Sequence, residues 1–240
     1  MKLNTHAAGE GEPLLLLHSG GMTGDTEYEE QSEYFSSRGY KVIRPDLRGH
    51  GKSAGEIDHY FSRTVEDLKD TLNALGIEKC HVAGGSIGGV AALLFAKAYS
   101  SRVKSVVFSG IFSSKPDNWE NLLQEENESY EQLFQNEEAV TYLNKIHGSN
   151  DWKTLLRSFN DEDFYPFDQL KEAALIDLPA LCLTGEEQEL EVSSAVAFKQ
   201  LNPHIRISVI PFAGHLVHRD QPDLYSRMLE YFLVHSRNKT

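Results

Sequence analysis

Apolar residues in this chain come in short runs that stop abruptly. Leu14 to Leu17 is one, closed by His18-Ser19-Gly20-Gly21, and Tyr40 to Arg44 is another, closed by Pro45-Asp46. Cys80 to Ala83, Val103 to Phe108, Ala180 to Leu183 and Ile205 to Ile210 follow the same pattern. Short, continuously apolar runs bounded by Gly or Pro predict strands buried on both faces. Between them the period lengthens. Val65, Leu68, Leu72 and Leu75 recur at helical spacing, with Gly76 where a C-terminal cap belongs. Val90 to Ala98 predicts a buried helix, and Asp220 to Phe232 an amphipathic one. Strands alternating with helices predict the α/β class, a mostly parallel central sheet with helices on both faces.

Residues 111–170 break this alternation. No strand is expected there. Trp152, Leu155, Leu156 and Phe159 hold i, i+3, i+4, i+7 spacing, and Trp119, Leu122 and Leu123, then Tyr130, Leu133 and Phe134, begin the same pattern. The segment predicts a helical insertion between two sheet strands. It carries thirteen acidic and four basic residues, so −9 of the chain's net −13 lies in a quarter of its length. Such charge suits a solvated outer face. A lid whose aromatic face lines a pocket is compatible with it.

Composition narrows the functions open to the chain. Its 240 residues suit one large domain or two small ones, and 40% hydrophobic with 25% charged residues is an ordinary globular balance. The net negative charge argues against nucleic acid and anionic membrane as partners, because both need a basic face. Near the start the longest strongly apolar run is Leu14 to Leu17, too short for a membrane span, and no signal peptide is expected. Cys80 and Cys182 fall in apolar runs and are expected as buried free thiols, which suits the cytoplasm. No metal cluster, phosphate-binding glycine motif or cofactor signature stands out, so a small-molecule substrate without a cofactor is the expected partner.

Three loops carry candidate chemistry. Ser86 lies in Gly84-Gly85-Ser86-Ile87-Gly88, between the Cys80–Ala83 strand and the helix that follows. Strand, glycine-flanked serine and helix make a nucleophile elbow, in which side chains two positions either side of the serine would collide with backbone. Gly20, in the loop closing the first apolar run, can offer a backbone N–H to an oxyanion, and the amide of Ile87 can offer a second. His215, in Pro211-Phe212-Ala213-Gly214-His215, follows the last strand and has a pKa suited to a general base. His18, His50 and His81 are expected to hold loops or fill the sheet, and His218 to sit at a solvated surface or the pocket rim.

These motifs together resemble the α/β-hydrolase fold superfamily in its lid-bearing esterase and lactonase branch. The resemblance runs from about Leu3 to the C-terminus and includes Pro45-Asp46-Leu47-Arg48-Gly49-His50-Gly51-Lys52-Ser53, a loop that is mostly structural in the family. It implies a hydrolase core over 1–110 and 171–240, with 111–170 as the cap. It also implies Ser86 as nucleophile, His215 as base, and an oxyanion hole at Gly20 and Ile87. Ser19 stands where the family more often has glycine. The family's acid lies three residues after a glycine beyond the preceding strand, which here falls on Gln188 in Leu183-Thr184-Gly185-Glu186-Glu187-Gln188-Glu189.

An amide can orient the histidine but cannot supply charge. Three possibilities stay open: loop slippage that brings in Glu187 or Glu189, a weaker site oriented by Gln188 with or without another acid, or a triad that is defunct or used for something other than hydrolysis. The expected function is a serine hydrolase acting on a small, largely apolar carboxylic ester or lactone through an acyl-enzyme. A non-catalytic ligand-binding homologue, and a Ser/His hydro-lyase or C–C hydrolase, are the alternatives.

Overall fold

The computed structural model describes residues 1–236. Seven strands form one sheet: β1 (Thr5–Ala8), β2 (Glu12–Leu17), β3 (Tyr40–Pro45), β4 (Cys80–Gly85), β5 (Val103–Ser109), β6 (Ala180–Gly185) and β7 (Arg206–Ile210). Their order across the sheet is β1-β3-β2-β4-β5-β6-β7. Only β1 is antiparallel, against β3; the other pairings are parallel. All six strands expected from the apolar runs are present. β1 was not among them, because Thr5–Ala8 is a half-buried edge strand with no apolar run.

The four leucines of β2 show why its run is continuous. Leu15 and Leu17 face one core, built with helices α2 (Tyr60–Ala74) and α3 (Ile87–Ala98). Leu14 and Leu16 face the other, where Phe35 of α1 (Glu29–Ser36) and Tyr225, Leu229 and Leu233 of α10 (Pro222–Ser236) pack. Alternate side chains of a strand point to opposite faces, so a sheet covered on both faces needs apolar residues at every position. Helix α3 lies against β4 and β5, and every residue from Ile87 to Ala96 is buried.

Between β5 and β6 the described chain has no strand. It forms α4 (Trp119–Gln135), α5 (Glu137–His147), α6 (Trp152–Ser158) and α7 (Phe167–Ala173). Asn136 caps α5 by accepting from Ala139 N–H at 3.0 Å, and Asp151 caps α6 by accepting from Thr154 N–H at 3.1 Å. Of the seventeen residues of α4 only Trp119 is buried. α7 packs against α3 and buries Leu170 and Ala173, so the boundary expected at 170 falls inside that helix. Two helices near the C-terminus complete the fold: α8 (Glu189–Leu201) and the short α9 (Val217–Asp220).

The parallel strands bring their C-terminal ends to one edge of the sheet. Ligands bind at that edge in open α/β sheets, and the loops after β2, β4, β5, β6 and β7 meet there. The loop after β3 is held by Asp46, which accepts from Gly24 N–H at 2.9 Å and Lys52 N–H at 2.9 Å. Arg48 donates to both oxygens of buried Asp67, at 2.8 and 2.9 Å. Among the described residues no helix is long and apolar enough to cross a membrane. Cys80 and Cys182 are buried and free, and burial pushes the Cys80 thiol up to about 12.

Candidate active site

The turn after β4 is tight. A Cβ at position 84 would lie 2.3 Å from the Gly88 carbonyl oxygen, and one at 88 would lie 2.2 Å from the Leu17 carbonyl oxygen. Glycine at both positions is therefore a condition for the turn. Ser86 has φ 55° and ψ −126°, a conformation that L residues rarely adopt. Strain of this kind costs on the order of 1–3 kcal/mol and persists only where the surroundings enforce it. Here Ser86 N–H donates to the Ser109 carbonyl at 2.9 Å, and its own carbonyl accepts from Val90 N–H at 3.0 Å. Ser86 is thereby lifted to the N-terminus of α3, where helix amides lack partners within the helix. Ile87, the first residue of α3, supplies one of those amides.

Gly110, just past β5, lets the histidine come close. A Cβ there would lie 2.9 Å from His215 Cε1 and 3.2 Å from Ser86 N. Ser86 and His215 line one cavity of about 370 Å³ together with Gly20, Ile87 and Gln188.

The loop after β2 presents Gly20 to the same cavity, and its neighbours are anchored on both sides. Ser19 donates its N–H to Glu27 Oε2 at 2.5 Å and its hydroxyl to Glu27 Oε1 at 2.9 Å. Gly21 N–H donates to His50 Nε2 at 3.3 Å. Glu27 is buried, and His218 Nε2 lies 3.2 Å from its Oε1. Burial works against the Glu27 charge, but His218 and the Ser19 amide outweigh it and hold the carboxyl down at about 2. His218 is thus buried, stacked on Tyr28 at 4.1 Å between ring centroids, and not at the solvated surface expected for it.

His18, His50 and His81 hold loops or fill the sheet, as expected. His18 Nε2 accepts from Leu47 N–H at 2.8 Å, and His81 lies 2.7 Å from the Ser105 hydroxyl. His147, in the helical segment, accepts from Gly51 N–H at 3.0 Å and reaches the Gly21 carbonyl at 3.0 Å.

The acid is where the structure departs from the sequence reading. His215 Nδ1 lies 2.6 Å from Glu191 Oε1, and Glu191 is only 3% exposed. Gln188 is the N-cap residue of α8 and lines the cavity, while Glu187 and Glu189 are exposed. Counting along a loop fails here because the loop ends at Gln188. The chain then turns into a helix, and one turn further on Glu191 points inward. Burial by itself would lower the His215 pKa. The hydrogen bond and charge of Glu191, with smaller contributions from Glu126 and Glu27, reverse this and raise it above the ordinary 6.5.

A serine in an uncommon conformation, a histidine with a buried carboxylate on its far nitrogen, and the glycine-loop and helix-start residues Gly20 and Ile87 beside them are the kinds of groups acyl transfer uses. Among the described residues no group of His, Cys, Asp and Glu is arranged to hold a metal ion.

A family model described as alpha/beta hydrolase fold matches residues 12–147. A 2-hydroxy-6-oxo-6-phenylhexa-2,4-dienoate hydrolase from Burkholderia cepacia is 34% identical over 113 residues, which cover 45% of this chain and 40% of that protein. The similarity thus spans well under half the length of that relative. Human epoxide hydrolase 4 is 27% identical over 97% of this chain and 76% of its own length. Among solved structures, the enol-lactonase from Burkholderia xenovorans LB400 superposes with a TM-score of 0.76, covering 97% of this chain and 96% of the lactonase at 17% identity, a likeness of fold.

Proposed function

The chain belongs to the alpha/beta hydrolase family, and within it we propose a serine hydrolase that cleaves a small, largely apolar carboxylic ester or lactone. The contact between His215 Nδ1 and Glu191 at 2.6 Å carries this reading. It gives the base a charged, buried orienting group in the same cavity as Ser86.

In this mechanism Ser86 Oγ attacks the carbonyl carbon while its proton passes to His215 Nε2. The Glu191 carboxylate stabilises the resulting imidazolium. The carbonyl π electrons move to oxygen, and the Gly20 and Ile87 amides hold that oxyanion. The oxyanion collapses, the C–O bond to the leaving alcohol breaks, and the imidazolium proton goes to the departing oxygen. Water then repeats the sequence on the acyl-Ser86 ester, giving a carboxylic acid and free serine. Residues 111–170 act as the cap, with Phe112, Trp119 and Phe159 keeping water from the acyl-enzyme. The two buried free thiols suit a cytoplasmic setting.

The non-catalytic alternative drew its motive from an uncharged residue at the histidine, and a carboxylate there weakens that motive. A C–C bond hydrolase is the second reading, favoured by the similarity to the dienoate hydrolase. The test is reaction with a fluorophosphonate probe, followed by product analysis on short esters, lactones and a vinylogous diketone. Labelling of Ser86 with ester or lactone turnover is expected. No labelling under conditions that modify a control esterase sinks the serine-hydrolase reading, and cleavage of the diketone alone selects the second.

A further inference from the structure

We propose that the cavity selects an ester bearing a positive charge, an ammonium or quaternary amine on a short linker, and that Glu126 is the specificity-determining residue. The inference rests on the serine-hydrolase reading for turnover, though not for binding.

The carboxylates facing the cavity are matched by no permanent cation. Glu126 and Glu191 line it, and among the described lining residues there is no lysine or arginine. Glu191 is committed to His215. Glu126, on α4, is exposed and still accepts a hydrogen bond from Tyr130 Oη at 2.6 Å. With its amide turned to donate, Asn160 stands 3.2 Å from the other Glu126 oxygen. The carboxylate is thus fixed at the cavity wall, close enough for its charge to favour protonation of His215.

The rest of the wall is mostly apolar, and aromatic rings, among them Phe112, Trp119, Tyr130, Phe159, Phe164 and Tyr165, share it with aliphatic side chains. Ring faces carry negative quadrupole density and attract cations, above all quaternary ammonium groups. Around this wall lies the segment with net charge −9, whose field draws cations in and slows anions. A carboxylate-bearing substrate would meet Glu126, the aromatic rings and that field with no lysine or arginine to pair with it. A cationic one is favoured by all three.

Three acetate esters of one shape test this on the full chain. They are the choline ester, its carbon isostere 3,3-dimethylbutyl acetate, and 4-acetoxy-2,2-dimethylbutanoate. Expected kcat/KM falls in that order by about tenfold per step, with a preference that shrinks as salt rises. Glu126→Gln is expected to pull the cation-to-neutral ratio toward one. In Ser86→Ala protein, calorimetry is expected to show tighter binding of choline than of 3,3-dimethylbutanol. An anionic ester turned over as well as the cationic one overturns the proposal, as does a Glu126→Gln protein with an unchanged ratio. If none of the esters is hydrolysed but Ser86→Ala protein still prefers choline, the serine-hydrolase reading fails and the cation site stands. Equal binding of choline and its isostere there removes the cation site whatever the turnover.

Discussion

The turn that holds Ser86 and the segment that delivers Glu191 both follow parallel strands at one edge of the sheet, yet they are built differently. The turn after β4 is self-contained: two glycines, a serine at φ 55° and the first turn of α3. It tolerates no side chain at 84 or 88 and stores its strain in one residue. The segment after β6 is unstrained at the acid. Glu191 sits in the first turn of α8 in ordinary helix, and its role comes from what the fold places opposite it, His215 from the loop after β7. Catalytic geometry can therefore be made by local compulsion or by the meeting of two distant segments. Damage to each should look different.

Ser86→Ala is expected to have the largest effect, a loss of about 10⁴–10⁶-fold in kcat with the circular dichroism spectrum unchanged. Retained ester turnover in that protein would place the nucleophile elsewhere. Glu191→Gln keeps the shape of the acid and removes its charge, so a loss of about 10²–10⁴-fold is expected.

Its pH profile separates charge from shape. If His215 is the base proposed, it must be unprotonated to act, so activity is expected to rise with pH through its pKa, raised above the ordinary 6.5. Removing the Glu191 charge moves that midpoint down. Glu187→Gln and Gln188→Ala should each stay within about threefold of the parent, since surface and rim changes away from such contacts are usually small. A Glu187 or Gln188 variant as damaged as Glu191→Gln would erase the contrast between the two segments.

Glu27 sharpens the comparison from a third side, because it braces the loop that bears Gly20 through both the N–H and the hydroxyl of Ser19. Glu27→Gln keeps an acceptor at one oxygen only and is expected to lower kcat about tenfold with little change in KM, a loss smaller than that of removing an oxyanion donor outright. The same group has a stability signature. Its folded pKa of about 2 lies below the ordinary 4.5. Its contribution is therefore present above pH 4.5 and lost as pH falls toward 2. Urea midpoints measured across that window should fall less steeply with acid in Glu27→Gln than in the parent.

Much of this arrangement could be read before folding, and the omissions have physical causes. The inner strands were legible because a sheet buried on both faces demands apolar residues at nearly every position, and the largely exposed edge strand β7 because Ile205, Ile207, Val209 and Ile210 cluster in sequence. The elbow was legible because its glycine spacing is a steric condition. β1 was missed because Thr5-His6-Ala7-Ala8 contains no apolar run. Helix α8 was missed because the residues it buries, Glu191, Ser194, Ala195 and Phe198, hold helical spacing but two of them are polar. A hydrophobic period cannot be seen where the inward positions are a carboxylate and a hydroxyl. His218 was misplaced for the same reason, since its burial is balanced by a carboxylate nearly two hundred residues away in the chain.

By itself the sequence determined the α/β class, the strand ends that carry the loops, and the identities of Ser86, Gly20, Ile87 and His215 as candidates. Each of these depends on neighbours within a few positions, through alternation, glycine spacing or a strand-to-helix boundary. Tertiary structure decided which carboxylate meets His215, that Glu27 holds the Ser19 loop, and that aromatic rings with no lysine or arginine share the described cavity lining. Those are contacts between segments far apart in the chain. Which of several nearby acids wins depends on the start of a helix and the path of a returning strand, and no local pattern encodes either.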